Sequence, residues 1–196
     1  MIVVAGPPGG GKSTLLGRSH FRNRQIPYFN IDERCKEIHG SSQAIPAHVR
    51  QRANQELREF CSARFSEGKT FAFETTLRAP FAIEQSGLAA GAGFQTEIHF
   101  LAGPVDLHVR RVQARAQQGG HAATPGTLQA MYEASLKNLP KAILSFHRCY
   151  LYDASQRPPK LLVEIENGAL DLYAHQLPPW MEAALLLAGY EKPGTE

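Results

Sequence analysis

Gly6-Pro7-Pro8-Gly9-Gly10-Gly11-Lys12-Ser13-Thr14 has the spacing G-x-x-x-x-G-K-[ST] of a phosphate-binding loop. Glycines at these places let backbone N–H groups curl around phosphate oxygens. A lysine at position 12 reaches the β and γ phosphates, and the Ser13 hydroxyl is placed to ligate Mg²⁺. The ligand this predicts is ATP or GTP, held by Gly9, Gly10, Gly11, Lys12, Ser13 and Thr14. The competing reading is a glycine-rich turn without a ligand. Against it stand the apolar run Ile2-Val3-Val4-Ala5 in front, the full spacing, and the Lys-Ser-Thr ending.

Three further groups could complete a phosphoryl transfer. Asp32 follows the apolar stretch Pro27–Ile31 and reads as the general base for an acceptor hydroxyl in line with the γ-phosphate. It is expected to face the phosphate loop from the tip of the neighbouring strand. Its alternatives are a helix cap or a partner for Arg34. Glu74, Thr75 and Thr76 end a third apolar run and precede Arg78. Together they could orient the hydroxyls and the anionic group of a substrate. Glu74 could instead sit in the second sphere of Mg²⁺, and either threonine could cap the helix that starts near Pro80. Arg110, Arg111 and Arg115 share one helix that runs into Gly119-Gly120-His121. That arrangement suits a lid lowering arginines onto the transferring phosphoryl group; a solvated basic face is the alternative.

The elements that must position these groups alternate along the chain. Ile2–Ala5 reads as a buried strand, 13–24 as a helix, 27–31 as a strand with a loop beginning at Asp32, and 47–67 as a helix stopped by Gly68. Strands follow at 70–73 and 94–101, with a helix over 80–90 between them. Helices over 105–117 and 128–139 come next, then a strand over 149–153. Residues 161–165 and 170–173 form a hairpin around Asn167-Gly168, expected as a small appendage, and 178–187 forms a short apolar helix. This rhythm predicts a three-layer α/β P-loop kinase fold with a mainly parallel central sheet, an arginine-bearing lid and a C-terminal β-hairpin. One domain is expected over 1–190, with the lid at 110–127 and the hairpin at 161–173, followed by a loose tail over 191–196.

Composition narrows the function. Of 21 basic residues 14 are arginine and the net charge is only +3, which favours small anionic substrates over a nucleic-acid groove. No run approaches the roughly 18 to 20 apolar residues that cross a bilayer, and no leader-like segment opens the chain. Cys35, Cys61 and Cys149 lack disulfide or zinc spacing, so a reducing cytoplasm is the expected compartment. The run 97–101 ends in Ala102-Gly103 rather than in an acidic metal ligand, and no L-S-G-G-Q appears, which argues against transport and motor ATPases. N-K-x-D is missing too, which favours ATP over GTP. The protein-kinase motifs H-R-D and D-F-G are likewise missing.

Taken in order, G-P-P-G-G-G-K-S-T, Phe29-Asn30-Ile31-Asp32, Phe73-Glu74-Thr75-Thr76-Leu77, Gly119-Gly120-His121, Ser135-Leu136-Lys137-Asn138-Leu139 and Leu151-Tyr152-Asp153-Ala154-Ser155 resemble the zeta-toxin-like P-loop kinases over residues 1–155. The resemblance implies an ATP- and Mg²⁺-dependent kinase of the UDP-N-acetylglucosamine kinase type, phosphorylating the amino-sugar 3′-hydroxyl. It implies that Lys12, Ser13 and Thr14 bind nucleotide, that Asp32 is the base, that Glu74, Thr76 and Arg78 hold substrate, and that Arg115 is a catalytic lid arginine. The chain departs from the family at the lid. It reads G-G-H-A-A-T-P, one residue longer than G-G-H-x-x-P, and Gln129-Ala130-Met131 stands where a further arginine is expected. Three other readings stay open: a kinase of another small-molecule or nucleic-acid hydroxyl, a nucleotide-binding module without transfer, and a protein whose ATP cleft is covered by an antitoxin-like partner.

Overall fold

Alternate residues of the first strand serve two different cores. In the computed structural model, which describes residues 1–117 and 123–191, strand β1 (Ile2–Ala5) turns Val3 and Ala5 toward one face of a central sheet and Val4 toward the other. Around it the chain forms α1 (Lys12–Leu15), α2 (Arg18–Asn23), β2 (Tyr28–Asn30), α3 (Ile31–His39), α4 (Ala47–Glu67), β3 (Ala72–Thr75), α5 (Phe81–Gly91) and β4 (Glu97–Ala102). Then come α6 (Val105–Gln117), α7 (Pro125–Ser145), β5 (Arg148–Asp153), β6 (Lys160–Glu166), β7 (Ala169–Leu172) and α8 (Pro179–Leu187).

The seven strands lie in the order β2-β3-β1-β4-β5-β6-β7. The first five are parallel and β6 and β7 are antiparallel, as the expected mainly parallel α/β sheet requires. Residues from α4, α5, α7 and α8, among them Leu57, Ala89, Leu139 and Met181, bury the larger face together with Phe73, Phe100 and Leu151. The opposite face is thinner, with Phe21 of α2 packing on Val4, Ala72 and Leu101. All strands of the parallel part point their carboxyl ends to one edge, where the phosphate loop lies.

Several expectations need correction. The helix expected over 13–24 is two pieces, because the chain turns at Leu16 and Gly17; a side chain at Gly17 would come 2.5 Å from the Ser13 carbonyl oxygen. No loop begins at Asp32. The Asn30 side chain accepts hydrogen bonds from the N–H groups of Asp32 (2.9 Å) and Glu33 (3.2 Å) and starts α3 at once. The hairpin around Asn167 and Gly168 (φ 50° and 86°) is no appendage, because β6 pairs with β5 over its whole length and buries Val163 and Ile165. Helix α7 begins earlier than expected because Thr124 caps it, and it runs on through Pro140 to Ser145. Gly119-Gly120-His121 lies outside the described residues. No helix among the described residues is long and apolar enough to cross a membrane.

Candidate functional site

The phosphate loop connects β1 to α1 and is shaped by contacts that only glycine permits. A Cβ at Gly6 (φ 134°) would lie 2.1 Å from the Leu101 carbonyl oxygen, and one at Gly10 would lie 2.7 Å from the same atom. At Gly9 (φ 82°) the obstacle is the His108 carbonyl oxygen at 2.8 Å. Lys12 opens α1 and is only 7% exposed. Its ammonium donates to the carbonyls of Gly6 (2.8 Å) and Pro7 (3.3 Å) and lies 3.6 Å from Glu74 Oε1. The N–H groups of Gly9, Gly11, Lys12 and Ser13 have no acceptor among the described residues, and the Ser13 and Thr14 side chains are exposed. A buried cation, uncommitted N–H donors and a free-standing hydroxyl fit a Mg²⁺-bound triphosphate.

Strand β3 separates β1 from β2, so Glu74 and not Asp32 occupies the strand tip beside the loop. Tyr28 of β2 donates its hydroxyl to Glu74 Oε2 at 2.9 Å and stacks on Phe21. Burial first, and then the Glu74 charge, push the Tyr28 phenol far above its ordinary range, so it stays a donor. Glu74 is thus gripped by a hydroxyl on one side and approached by an ammonium on the other. The chain then makes a sharp turn. Thr75 Oγ1 accepts from the Leu77 N–H (3.1 Å), and Leu77 is fully buried with φ 56°. Ser135 and Asn138 of α7 donate to the carbonyls of Thr76 and Leu77, the latter at 2.9 Å. Neither threonine caps α5, whose N-cap is Pro80; the turn leaves Arg78 exposed.

Asp32 stands one strand further along the same edge, its side chain 71% exposed and 3.4 Å from Arg50 Nη1 of α4. Neither alternative for it holds: Asn30 is the cap, and Arg34 pairs with Glu56 and, at 3.0 Å, with Glu37. The neighbouring Glu33 is half-buried and pairs with Arg18 (3.0 Å). Burial raises the pKa of Glu33 despite that arginine.

The three arginines of α6 divide. Arg110 pairs with Asp106 at 2.8 Å on the surface, both side chains more than 60% exposed, which is the solvated face weighed as its alternative. Arg111 turns inward and donates to the carbonyls of Ala154 (2.8 Å) and Gly9 (3.4 Å). The Ala154 carbonyl is presented by an Asx turn in which Asp153 accepts from the Ser155 N–H. Arg115 is exposed in the last turn of the helix.

Sequence reasoning passed over His108, Tyr132 and Tyr28. His108 Nε2 accepts from the Gly103 N–H (3.0 Å), and its Nδ1 is 2.8 Å from the Pro8 carbonyl oxygen. Tyr132 packs edge-on against that ring and donates to the Gly103 carbonyl at 2.9 Å. Burial, followed by the charges of Lys12 and Arg111, lowers the His108 pKa to about 4. A signal was available: His108 and Val112 fall one turn apart on the buried stripe of an otherwise polar helix.

This sheet order and phosphate loop define an α/β fold of the P-loop kind. Residues 1–135 match the model of a family described as an AAA domain, and the chain belongs to that family. No curated protein matches it. Among solved structures, the chain is similar to one from the PezAT chromosomal toxin-antitoxin system of Streptococcus pneumoniae, at 15% identity and a TM-score of 0.65, covering 84% of this chain and 71% of that one. It is similar to AvrRxo1-ORF1:-ORF2 with ATP at 14% identity and a TM-score of 0.66; all of this chain aligns, spanning 64% of that one. A gluconokinase from Sinorhizobium meliloti aligns at 20% identity and a TM-score of 0.51, over 79% of this chain and 82% of that one.

Proposed function

We propose that the protein is a kinase that transfers the γ-phosphoryl group of ATP to a hydroxyl of a small anionic acceptor. The observation that carries this reading is the buried Lys12 ammonium beside Glu74, inside a glycine cradle, with the exposed Asp32 carboxylate on the same sheet edge. ATP with Mg²⁺, when bound, supplies the phosphoryl group. Gly9 to Thr14 bind the phosphates, and the Ser13 hydroxyl is the metal ligand. Lys12 leaves its loop carbonyls to neutralise phosphate charge. Asp32 accepts the proton of the acceptor hydroxyl, with Arg50 orienting the carboxylate. Glu74, Thr76 and Arg78 orient the acceptor on a turn held by Ser135 and Asn138, and Arg115 reaches the transferring group from α6.

The zeta-toxin resemblance makes UDP-N-acetylglucosamine the first acceptor to try, in a cytoplasmic setting with an antitoxin-like partner. The likeness to a structure from a toxin-antitoxin system favours the antitoxin-like partner and is silent on the acceptor. A second reading, nucleotide binding without transfer, is favoured by one observation: Arg110 and Arg111 are engaged on the surface and on backbone carbonyls, which leaves Arg115 as the α6 arginine for the reaction. Labelled ATP offered with a panel of acceptors (UDP-N-acetylglucosamine, gluconate, nucleosides, RNA ends) separates the readings. Transfer to one acceptor that is lost in Lys12→Ala supports the kinase; ATP binding with no transfer to any acceptor supports the second.

A further inference from the structure

His108 lies outside the set of residues that touch phosphate or acceptor, yet its ring is bonded to the loop from one nitrogen and to the end of β4 from the other. It is 2% exposed, and both ring nitrogens are engaged with backbone. An N–H group is aimed at Nε2, so that nitrogen carries no proton; the proton resides on Nδ1 and is donated to the Pro8 carbonyl. One neutral tautomer therefore satisfies both bonds. The packing around it is equally close. A Cβ at Gly10 would stand 3.4 Å from His108 Cε1, and one at Gly9 would stand 2.8 Å from the His108 carbonyl oxygen. One turn later, Arg111 donates to the Gly9 carbonyl, so α6 holds two consecutive residues of the loop. Lys12 from α1, Asp106 and Arg111 from α6 itself, and the Tyr132 ring from α7 are the charged and titratable groups facing the imidazole.

We infer that His108 is a positioning residue for nucleotide binding: its ring ties the Pro8 carbonyl of the phosphate loop to the Gly103 N–H beyond β4, and so sets the curvature of the loop and the seat of α6 together. The inference rests on the reading that residues 6–14 hold a nucleotide. A loop whose N–H groups must converge on phosphate oxygens loses affinity when its carbonyls are released to rotate, and removal of a buried hydrogen-bond partner leaves two backbone groups unsatisfied.

The test is titration of the full chain with a non-hydrolysable Mg-ATP analogue, for wild type, Lys12→Ala, His108→Phe and His108→Gln, with melting curves on each. His108→Phe keeps a ring beside Tyr132 and removes both bonds, whereas His108→Gln can restore one. The expected result is an analogue affinity lowered about tenfold or more in His108→Phe and partly recovered in His108→Gln, with both variants folded at the assay temperature. Equal affinity in wild type and a folded His108→Phe overturns the positioning role. No binding by wild type overturns the nucleotide reading instead. Should His108→Phe not fold, ¹⁵N spectra of the wild-type imidazole decide. A neutral Nδ1–H ring whose signals move on nucleotide addition supports the inference; an Nε2–H ring, or signals unmoved by nucleotide, overturns it.

Discussion

The phosphate loop and the edge that carries Asp32 lie a strand apart and are built in opposite ways. At the loop, glycine clashes, a buried ammonium and ring bonds from α6 leave the backbone one shape. At the Asp32 edge the candidate groups are side chains in solvent: Asp32, Arg78 and, half-buried, Arg50. Two surroundings follow from this. The Lys12 ammonium at the loop is buried and preorganised, so each of its contacts is worth more, while groups at the open edge are screened and free to be exchanged. On the proposed kinase reading, a chain built this way commits itself to its donor through backbone geometry and leaves acceptor choice to replaceable surface residues.

The largest break in that contrast is expected from Lys12→Ala. It removes the one buried cation of the loop, and transfer should fall by about 10³-fold or more with weakened ATP binding, read by turnover and by calorimetric titration. Next in size is Gly10→Ala, where the new methyl meets the Leu101 carbonyl at 2.7 Å and neither side is a flexible chain end. A loss of about 1–3 kcal/mol in urea unfolding is expected, against a smaller strain-only cost at Gly11 (φ 85°), whose Cβ would meet nothing nearer than 3.6 Å.

Acid sharpens the comparison further. The folded chain keeps His108 neutral down to about pH 4, whereas the unfolded chain takes up a proton near the ordinary value of 6.5. Between those values the unfolded state binds the extra proton, so the His108 contribution to stability falls as pH drops from 6.5 to 4 and levels off below, by a total of about 3 kcal/mol. Urea titrations at pH 7 and pH 4.5 check this, and the His108→Phe variant should lose that part of the slope. The smallest effect belongs to the open surface: Arg110→Ala should change stability by no more than about 0.5 kcal/mol, because its pair with Asp106 is solvated on both sides.

Much of this architecture is legible in the sequence alone. Helices α4 and α6 begin and end where their periodicity and Gly68 say, and Asn167-Gly168 announces the hairpin. What escaped was set by tertiary contact. Nothing local in 13–24 reveals that Gly17 is pressed against the Ser13 carbonyl, and strand order is invisible to periodicity, so Asp32 was expected beside the loop when Glu74 stands between. Arg110 and Arg111 are adjacent in the chain, but helix phase sends one to solvent and the other to two carbonyls. The S-L-x-N-L segment was legible as a resemblance only; its hold on the Thr76 and Leu77 carbonyls became visible with the turn it clamps.

The central claim is that the rigid loop holds the phosphoryl donor while an exposed carboxylate takes the proton of the acceptor. Asp32→Asn tests it most directly, with Mg-ATP affinity and phosphoryl transfer to the active acceptor measured on the same preparation. The account predicts unchanged ATP affinity and a turnover lowered about 10² to 10⁴-fold. Full turnover by Asp32→Asn would contradict it.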